Sequence, residues 1–292
     1  MIKLFQMRCL LRWAMPVVCA LTLLQACDIK AYISPQGYDL RKGEANELGK
    51  SLNEISGISF NAADSTLWAI SDSKRNIVLI DLKTGKLKDI TKNIIEPDQD
   101  LEDIVKMDTA AYLLSSKGLI YEVSLNTIDS PVVRSYPLWD SGKNDFETLY
   151  YDPSSSGLIM LCKNCESDKG KKIRSAYRFD LKTKQFDSSA YFTVATDEVK
   201  KLAKNDDAKF EPSAAAVNPV NKRLYILSSA GNLLVITDSR GKVLEVYHLN
   251  PDKHPQAEGI AFAQNGDMYI TNEGKYGKPT LQVFKYQKAK NQ

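Results

Sequence analysis

Short runs dense in apolar and aromatic residues recur along the chain, bounded by Gly, Asn, Asp and Ser. Runs of this length and composition predict β-strands, and the polar breaks between them predict tight turns. They sort into five sets. A glutamate opens the first strand of each set: Glu54 in Asn53-Glu54-Ile55-Ser56-Gly57-Ile58, Glu102 in Leu101-Glu102-Asp103-Ile104-Val105, and Glu147 in Phe146-Glu147-Thr148-Leu149-Tyr150. The last two are Glu211 in Phe210-Glu211-Pro212-Ser213-Ala214 and Glu258 in Ala257-Glu258-Gly259-Ile260-Ala261. Second runs follow at 67–70, 111–114, 158–161, 224–227 and 268–271, and third runs at 77–82, 120–123, 176–181, 233–236 and 281–284. Fourth runs are read at 132–138, 188–194 and 243–249, with a weaker one at 87–90.

The glutamates are 48, 45, 64 and 47 residues apart. Repeats of roughly 40–50 residues, each holding several strands, are the mark of β-propeller blades. The expected fold is therefore all-β, a five-bladed β-propeller, with six blades as the alternative. The fifth repeat has no obvious fourth strand, and Gly37-Tyr38-Asp39-Leu40 is expected to supply it and close the ring. In the long interval before Glu211, the segment 196–204 begins with Thr196 as a capping residue and places acids ahead of lysines, as a short helix between blades three and four would. That helix reads as an insertion, or alternatively as a lid over the same face as the glutamates.

The start of the chain changes the picture of address and charge. Residues 1–26 carry Lys3, Arg8 and Arg12, no acid, and an apolar run from Trp13 to Leu24 interrupted only by Thr22. This is a secretion signal by charge and length. Leu24-Gln25-Ala26-Cys27 resembles the bacterial lipobox, which implies a lipid on Cys27; an ordinary signal or a retained anchor is the rival reading. The expected organisation is a signal over 1–26, a tether over 27–36 and one propeller domain over 37–292, lipid-anchored at a bacterial cell envelope. The 39 basic and 36 acidic residues of the full chain become balanced once the segment 1–26 is removed. A near-neutral chain gives no support for nucleic-acid binding. Export permits a disulfide between Cys162 and Cys165, with buried free thiols as the alternative.

Five glutamates at equivalent strand starts would ring one mouth of the central channel. Carboxylates so placed repel one another unless a cation intervenes. Calcium, a hard ion that takes six to eight oxygens in loose geometry, suits them better than zinc. The alternative is that the glutamates accept backbone N–H groups and tie blades together without an ion. Asp100, Asp103 and Asp145 are read as added ligands through water or as solvated surface. The turns after the second strands carry Ser71-Asp72, Ser115-Ser116, Lys163-Asn164, Ser228-Ser229 and Asn272-Glu273 and face the same mouth. Among them Lys163 is the cation expected to look into it. Of the two histidines, His248 and His254, only His254 stands near a ring glutamate.

The segments Glu54-Ile55-Ser56-Gly57-Ile58, Asp100-Leu101-Glu102-Asp103-Ile104, Asp145-Phe146-Glu147-Thr148-Leu149 and Gln256-Ala257-Glu258-Gly259-Ile260-Ala261 together resemble the SdiA-regulated (YjiK-like) family. So does the strand from Gly266 to Glu273. The resemblance implies a five-bladed propeller, often exported or membrane-tethered, with a calcium site among the ring carboxylates and no established enzymatic activity. It makes Glu102, Glu147 and Glu258 the first choices as ligands, with Glu54 next; Glu211 departs from the pattern because Pro212 stands where a glycine is usual. The function expected is an envelope-tethered calcium-binding or scaffold module whose protein or small-molecule partner is unknown. A calcium-dependent ester or phosphoester hydrolase using His254 as base is the alternative, and a protein-interaction face elsewhere on the propeller is the third reading.

Overall fold

The structure is a computed structural model that describes residues 32–72, 74–91, 94–95, 99–125, 131–140, 142–275 and 277–288. The signal over 1–26, Cys27 and the start of the tether lie outside the described residues. The first strand, β1 (Glu44–Glu47), precedes blade one, which is β2 (Ile55–Asn61), β3 (Thr66–Ser71), β4 (Lys74–Asp81) and β5 (Leu87–Asp89). Blade two is β6 (Leu101–Met107), β7 (Ala110–Ser115), β8 (Leu119–Ser124) and β9 (Val133–Pro137). Blade three is β10 (Phe146–Asp152), β11 (Gly157–Cys162), β12 (Ile173–Asp180), β13 (Gln185–Phe186) and β14 (Phe192–Ala195), followed by the helix α1 (Thr196–Ala203). Blade four is β15 (Ala214–Val217), β16 (Leu224–Ser228), β17 (Leu233–Thr237) and β18 (Val243–His248). Blade five is β19 (Ala257–Phe262), β20 (Met268–Asn272) and β21 (Thr280–Phe284), completed by β1.

Every blade is an antiparallel sheet, and the inner strands β2, β6, β10, β15 and β19 each pack on two neighbours, with β19 returning to β2. Five blades therefore close one ring. The core lies between blades, in five separate apolar layers, because a propeller strand is buried on both faces. β11 shows the principle: Leu158 and Met160 pack toward blade two, whereas Ile159 and Leu161 pack toward blade four. Alternation of side chains across the pleat feeds two different layers, so the sequence shows a continuous apolar run.

Three features differ from the sequence reading. The closing strand is β1, paired with β21 from Glu44↔Val283 to Glu47↔Thr280, rather than the segment 37–40. Its side chains are exposed, so it is held by backbone pairing and an exposed ion pair between Glu47 and Lys278, and it carries no apolar signal. Tyr38 and Leu40 instead plug the layer between blades four and five, where the Tyr38 hydroxyl donates to the Gly266 carbonyl at 2.7 Å. The outer strand of blade three is split into β13 and β14, both paired with β12. Finally, α1 starts after Ala195 without a side-chain cap, so Thr196 is its first residue and no cap. Val199 and Ala203 bury its inner face in the layer between blades three and four. It is an insertion sealing that seam, and none of its residues lines the mouth described below.

Candidate functional site

The inner strands deliver their glutamates by a shared irregularity. Pairing of β6 with β7 steps from Leu101↔Ser115 to Asp103↔Leu114, that of β10 with β11 from Phe146↔Cys162 to Thr148↔Leu161, and that of β19 with β20 from Ala257↔Asn272 to Gly259↔Thr271. In each case the glutamate is the extra residue of a β-bulge. A bulge kinks its strand and re-aims one side chain without ending the ladder. Glu102, Glu147 and Glu258 are turned in this way onto the end of the channel. Blade one bulges two residues later, between Ile55 and Ile58, and leaves Glu54 just ahead of its strand. Blade four has no bulge: β15 begins at Ala214, beyond Pro212. Proline has no N–H to give the ladder, so the strand starts after it.

The side chains meet around a cavity of about 510 Å³. Glu54, Glu102, Glu147 and Glu258 line it together with Asp72 and Glu273 from the turns after second strands; Lys163 and Lys275 are its cations. Ser56, Ser213, Ser229, Asn53 and Gln256 complete the polar wall. Glu211 does not line it, and its N–H donates to Ser228 Oγ at 2.9 Å; its charge still acts on Glu147. Of the turn residues, Asp72, Lys163, Ser229 and Glu273 reach the cavity. Sequence reading missed Asn53, Ser56, Ser213, Gln256 and Lys275 as wall residues. Two of them, Asn53 and Gln256, stand one or two positions ahead of a ring glutamate, and Ser56 and Ser213 stand two after one, which is the signal that could have found them.

Burial and crowding govern the charge here. Removal from water, then the fields of Glu147 and Asp145, push Glu102 up to about 9 from an ordinary 4.5. Burial and Glu147 push Glu258 up to about 8, against a bond from Ser229 Oγ to its Oε1 at 2.9 Å. Burial, then Asp72, push Glu273 up to about 7. Glu147 is also raised, chiefly by burial, but Lys163 Nζ donates to its Oε1 and offsets much of that. Burial alone would lower Lys163, yet Glu147 more than compensates and holds it charged.

By donor chemistry the wall would suit a hard cation such as calcium, since carboxylate, hydroxyl and amide oxygens surround a space where burial and neighbouring acids raise the carboxylates despite Lys163 and Lys275. Glu102, Glu147 and Glu258 are the side chains that would hold it, with Glu54, Asp72 and Glu273 within the same wall. Among the described residues no three acidic, histidine or cysteine side chains converge at ligating distance, so an incoming ion keeps water or draws the side chains inward.

Two side chains, Asp103 and His254, take other roles than expected. Asp103 is neither a solvated acid nor a ligand through water. It is 3% exposed, with Oδ1 accepting the Ile104 N–H at 2.8 Å and Oδ2 the Leu149 N–H at 2.7 Å. The interblade tie considered for the glutamates is thus made by the aspartate beside one of them. His254 is 2% exposed, stacks on Phe284, and is absent from the cavity wall. Asp100 is exposed and does not line the cavity, while Asp145 acts on it through its charge. Cys162 and Cys165 are joined by a disulfide, both buried.

A model of the SdiA-regulated family matches residues 31–276. The chain belongs to the SdiA-regulated family. No curated protein matches it. Among solved structures it is similar to a luciferin-regenerating enzyme (TM-score 0.52, 11% identity, 84% of this chain and 95% of that one). It is also similar to the PQQ-bound aldose sugar dehydrogenase of Streptomyces coelicolor (TM-score 0.53, 12% identity, 87% and 100%). The glutaminyl cyclase of Myxococcus xanthus is a third (TM-score 0.53, 12% identity, 84% and 96%). At these identities the likeness is one of fold, and it carries no activity across to this SdiA-regulated protein.

Proposed function

We propose that this protein is a calcium-binding β-propeller held at a bacterial cell envelope by a lipid on Cys27, serving as a binding or scaffold module. The observation that carries the reading is the enforced company of Glu102, Glu147, Glu258 and Glu273 around one cavity, where burial and mutual repulsion suppress ionisation. A bound dication would supply the missing counter-charge. The protein's own part is to bring Glu102, Glu147 and Glu258 on bulged strands, and Glu273 from the turn after β20, to one cavity of a closed ring, from which an arriving ion would draw their oxygens inward or reach them through water. Hydrolysis of esters or phosphoesters is less favoured, because the one imidazole considered as its base, His254, is enclosed against Phe284.

The test is thermal unfolding of the full chain in mild detergent, first with excess EDTA and then across a calcium titration, with magnesium as comparison. Binding to the folded state alone raises the midpoint with ion concentration. A rise with calcium that magnesium does not reproduce supports the reading; no rise at millimolar calcium removes it.

A further inference from the structure

The turn after β11 differs from the other four turns at the mouth in two ways at once. It alone of the five carries a cation in the pair following the second strand, and it alone is closed by a disulfide, in Cys162-Lys163-Asn164-Cys165. Cys162 is the last residue of its strand and lies opposite Phe146, where the bulge that aims Glu147 begins. The N–H groups of Lys163 and Asn164 both donate to the Asp145 carbonyl, at 3.0 and 3.1 Å. Disulfide, strand pairing and this shared carbonyl therefore fix the backbone of Lys163 from three sides. Its flexible stem then has one short path, into the cavity, where Nζ donates to Glu147.

We propose that Lys163 is a tethered counter-cation that competes with an incoming ion for Glu147, and that the Cys162–Cys165 disulfide is the positioning element holding it in the mouth. This rests on the cation-binding reading of the same cavity. An ammonium beside Glu147 satisfies one carboxylate in the absence of ion and repels a second cation at short range. Holding a lysine in one rotamer costs entropy, and a pinned backbone lowers the part of that cost that belongs to the loop. Lys163 would thereby set the affinity of the mouth and neutralise Glu147 in the ion-free ring.

Two readouts test it on the full chain. The first is calcium affinity by titration calorimetry for the wild type, Lys163→Met, Cys162→Ser/Cys165→Ser and the triple variant. The second, independent of calcium, is acylation of the Lys163 amine by an N-hydroxysuccinimide ester, read by mass spectrometry against the exposed Lys169. Lys163→Met is expected to bind calcium at least tenfold more tightly, and loss of the disulfide to raise Lys163 labelling at least fivefold. Loss of the disulfide should alter affinity in the wild-type background and by less than twofold once Lys163 is Met. Unchanged or weaker calcium binding by Lys163→Met overturns the competition; unchanged labelling in a folded disulfide-free protein overturns the positioning. Should that variant not fold, a glycine inserted after Asn164 slackens the loop with the bond intact and must raise labelling likewise. If no variant binds calcium yet labelling rises, the cation-binding reading and the competition fall together while the positioning role stands.

Discussion

Asp103 of the second blade accepts the backbone N–H of Leu149 in the third, Oδ2 to N at 2.7 Å, at a point where both residues are almost fully buried. The same carboxylate faces the first blade, where a Cβ added to Gly57 would stand 2.3 Å from Oδ1 and 2.5 Å from the Asp103 Cα. One side chain beside the ring thus joins three blades, and the glycine of the first makes room for it.

Asp103→Ala should therefore destabilise the ion-free protein. Removing the acceptor of a buried hydrogen bond costs about 1–3 kcal/mol per donor left without a partner. Midpoint loss of several degrees is expected for a domain of this size, at roughly 2–4 °C per kcal/mol. Asp103→Asn, which keeps one carbonyl oxygen, should lose less. Thermal unfolding in EDTA measures both. An unchanged midpoint for Asp103→Ala would show that the tie is not a stability element.

The mouth should make stability and calcium response depend on pH in opposite senses. Glu102, Glu258 and Glu273 sit at about 9, 8 and 7 against an ordinary 4.5, first because they are buried and then because of neighbouring acids, Glu147 beside Glu102 and Glu258 and Asp72 beside Glu273. The folded state therefore binds more protons than the unfolded one between pH 4.5 and about 9. Stability from these groups is complete below pH 4.5 and is lost as pH rises to about 9. A calcium ion that favours the ionised carboxylates should restore it, with release of protons. The calcium-induced rise in midpoint is expected to grow from pH 5 to pH 9, and calorimetry in buffers of different ionisation enthalpy should report proton release near neutrality. A calcium shift that is constant with pH would place the ion away from these three residues.

The five-fold repeat and the glutamate positions were legible because they depend on local facts: strand composition, turn residues and spacing. Strand β1 was not, since Glu44–Glu47 is held by main-chain pairing to β21 and leaves its side chains in water. Reading Tyr38 and Leu40 as a strand followed the apolar signal correctly to buried positions, but those positions belong to a plug between blades. Within the mouth, sequence order could not separate Asp103 from its neighbour Glu102. Only the bulge decides that one points into the cavity and the other into the seam. His254 was invisible for a related reason: its burial comes from Phe284, thirty residues on, across the blade.

His254 gives a second pH effect, on the acid side. Burial, assisted by Lys253, lowers it to about 4 from 6.5, and neither ring nitrogen has a hydrogen-bond partner among the described residues. The unfolded state then binds the extra proton between pH 6.5 and 4, so stability is full above 6.5 and falls as pH drops through that window. The loss is on the order of 3 kcal/mol at its limit. His254→Phe should retain the stacking on Phe284 without unsatisfied nitrogens. It is expected to match or exceed wild-type stability at pH 7 and to flatten the decline below pH 6. Midpoints of both proteins across pH 4–8 check this, and an unaltered acid slope would assign the decline to other groups.

Conversion of single glutamates to glutamine separates residues that line the mouth from one that only belongs to the repeat. Glu102→Gln and Glu258→Gln each remove one potential charge but keep an oxygen and the side-chain volume. Each should weaken calcium binding by about tenfold, equivalent to about 1.4 kcal/mol. Glu147→Gln should weaken it at least as much, because the change removes a carboxylate and leaves the Lys163 ammonium in the mouth without its partner. Glu211→Gln should leave affinity within twofold, since Glu211 stands behind Pro212 at a strand start without a bulge and outside the cavity wall. Calorimetric titration of the four variants, each checked for an intact fold, gives the comparison. Equal losses across all four would mean that the calcium effect follows net charge at that end of the propeller. A loss at Glu102, Glu147 and Glu258 that is absent at Glu211 would tie the ion to the bulged strands.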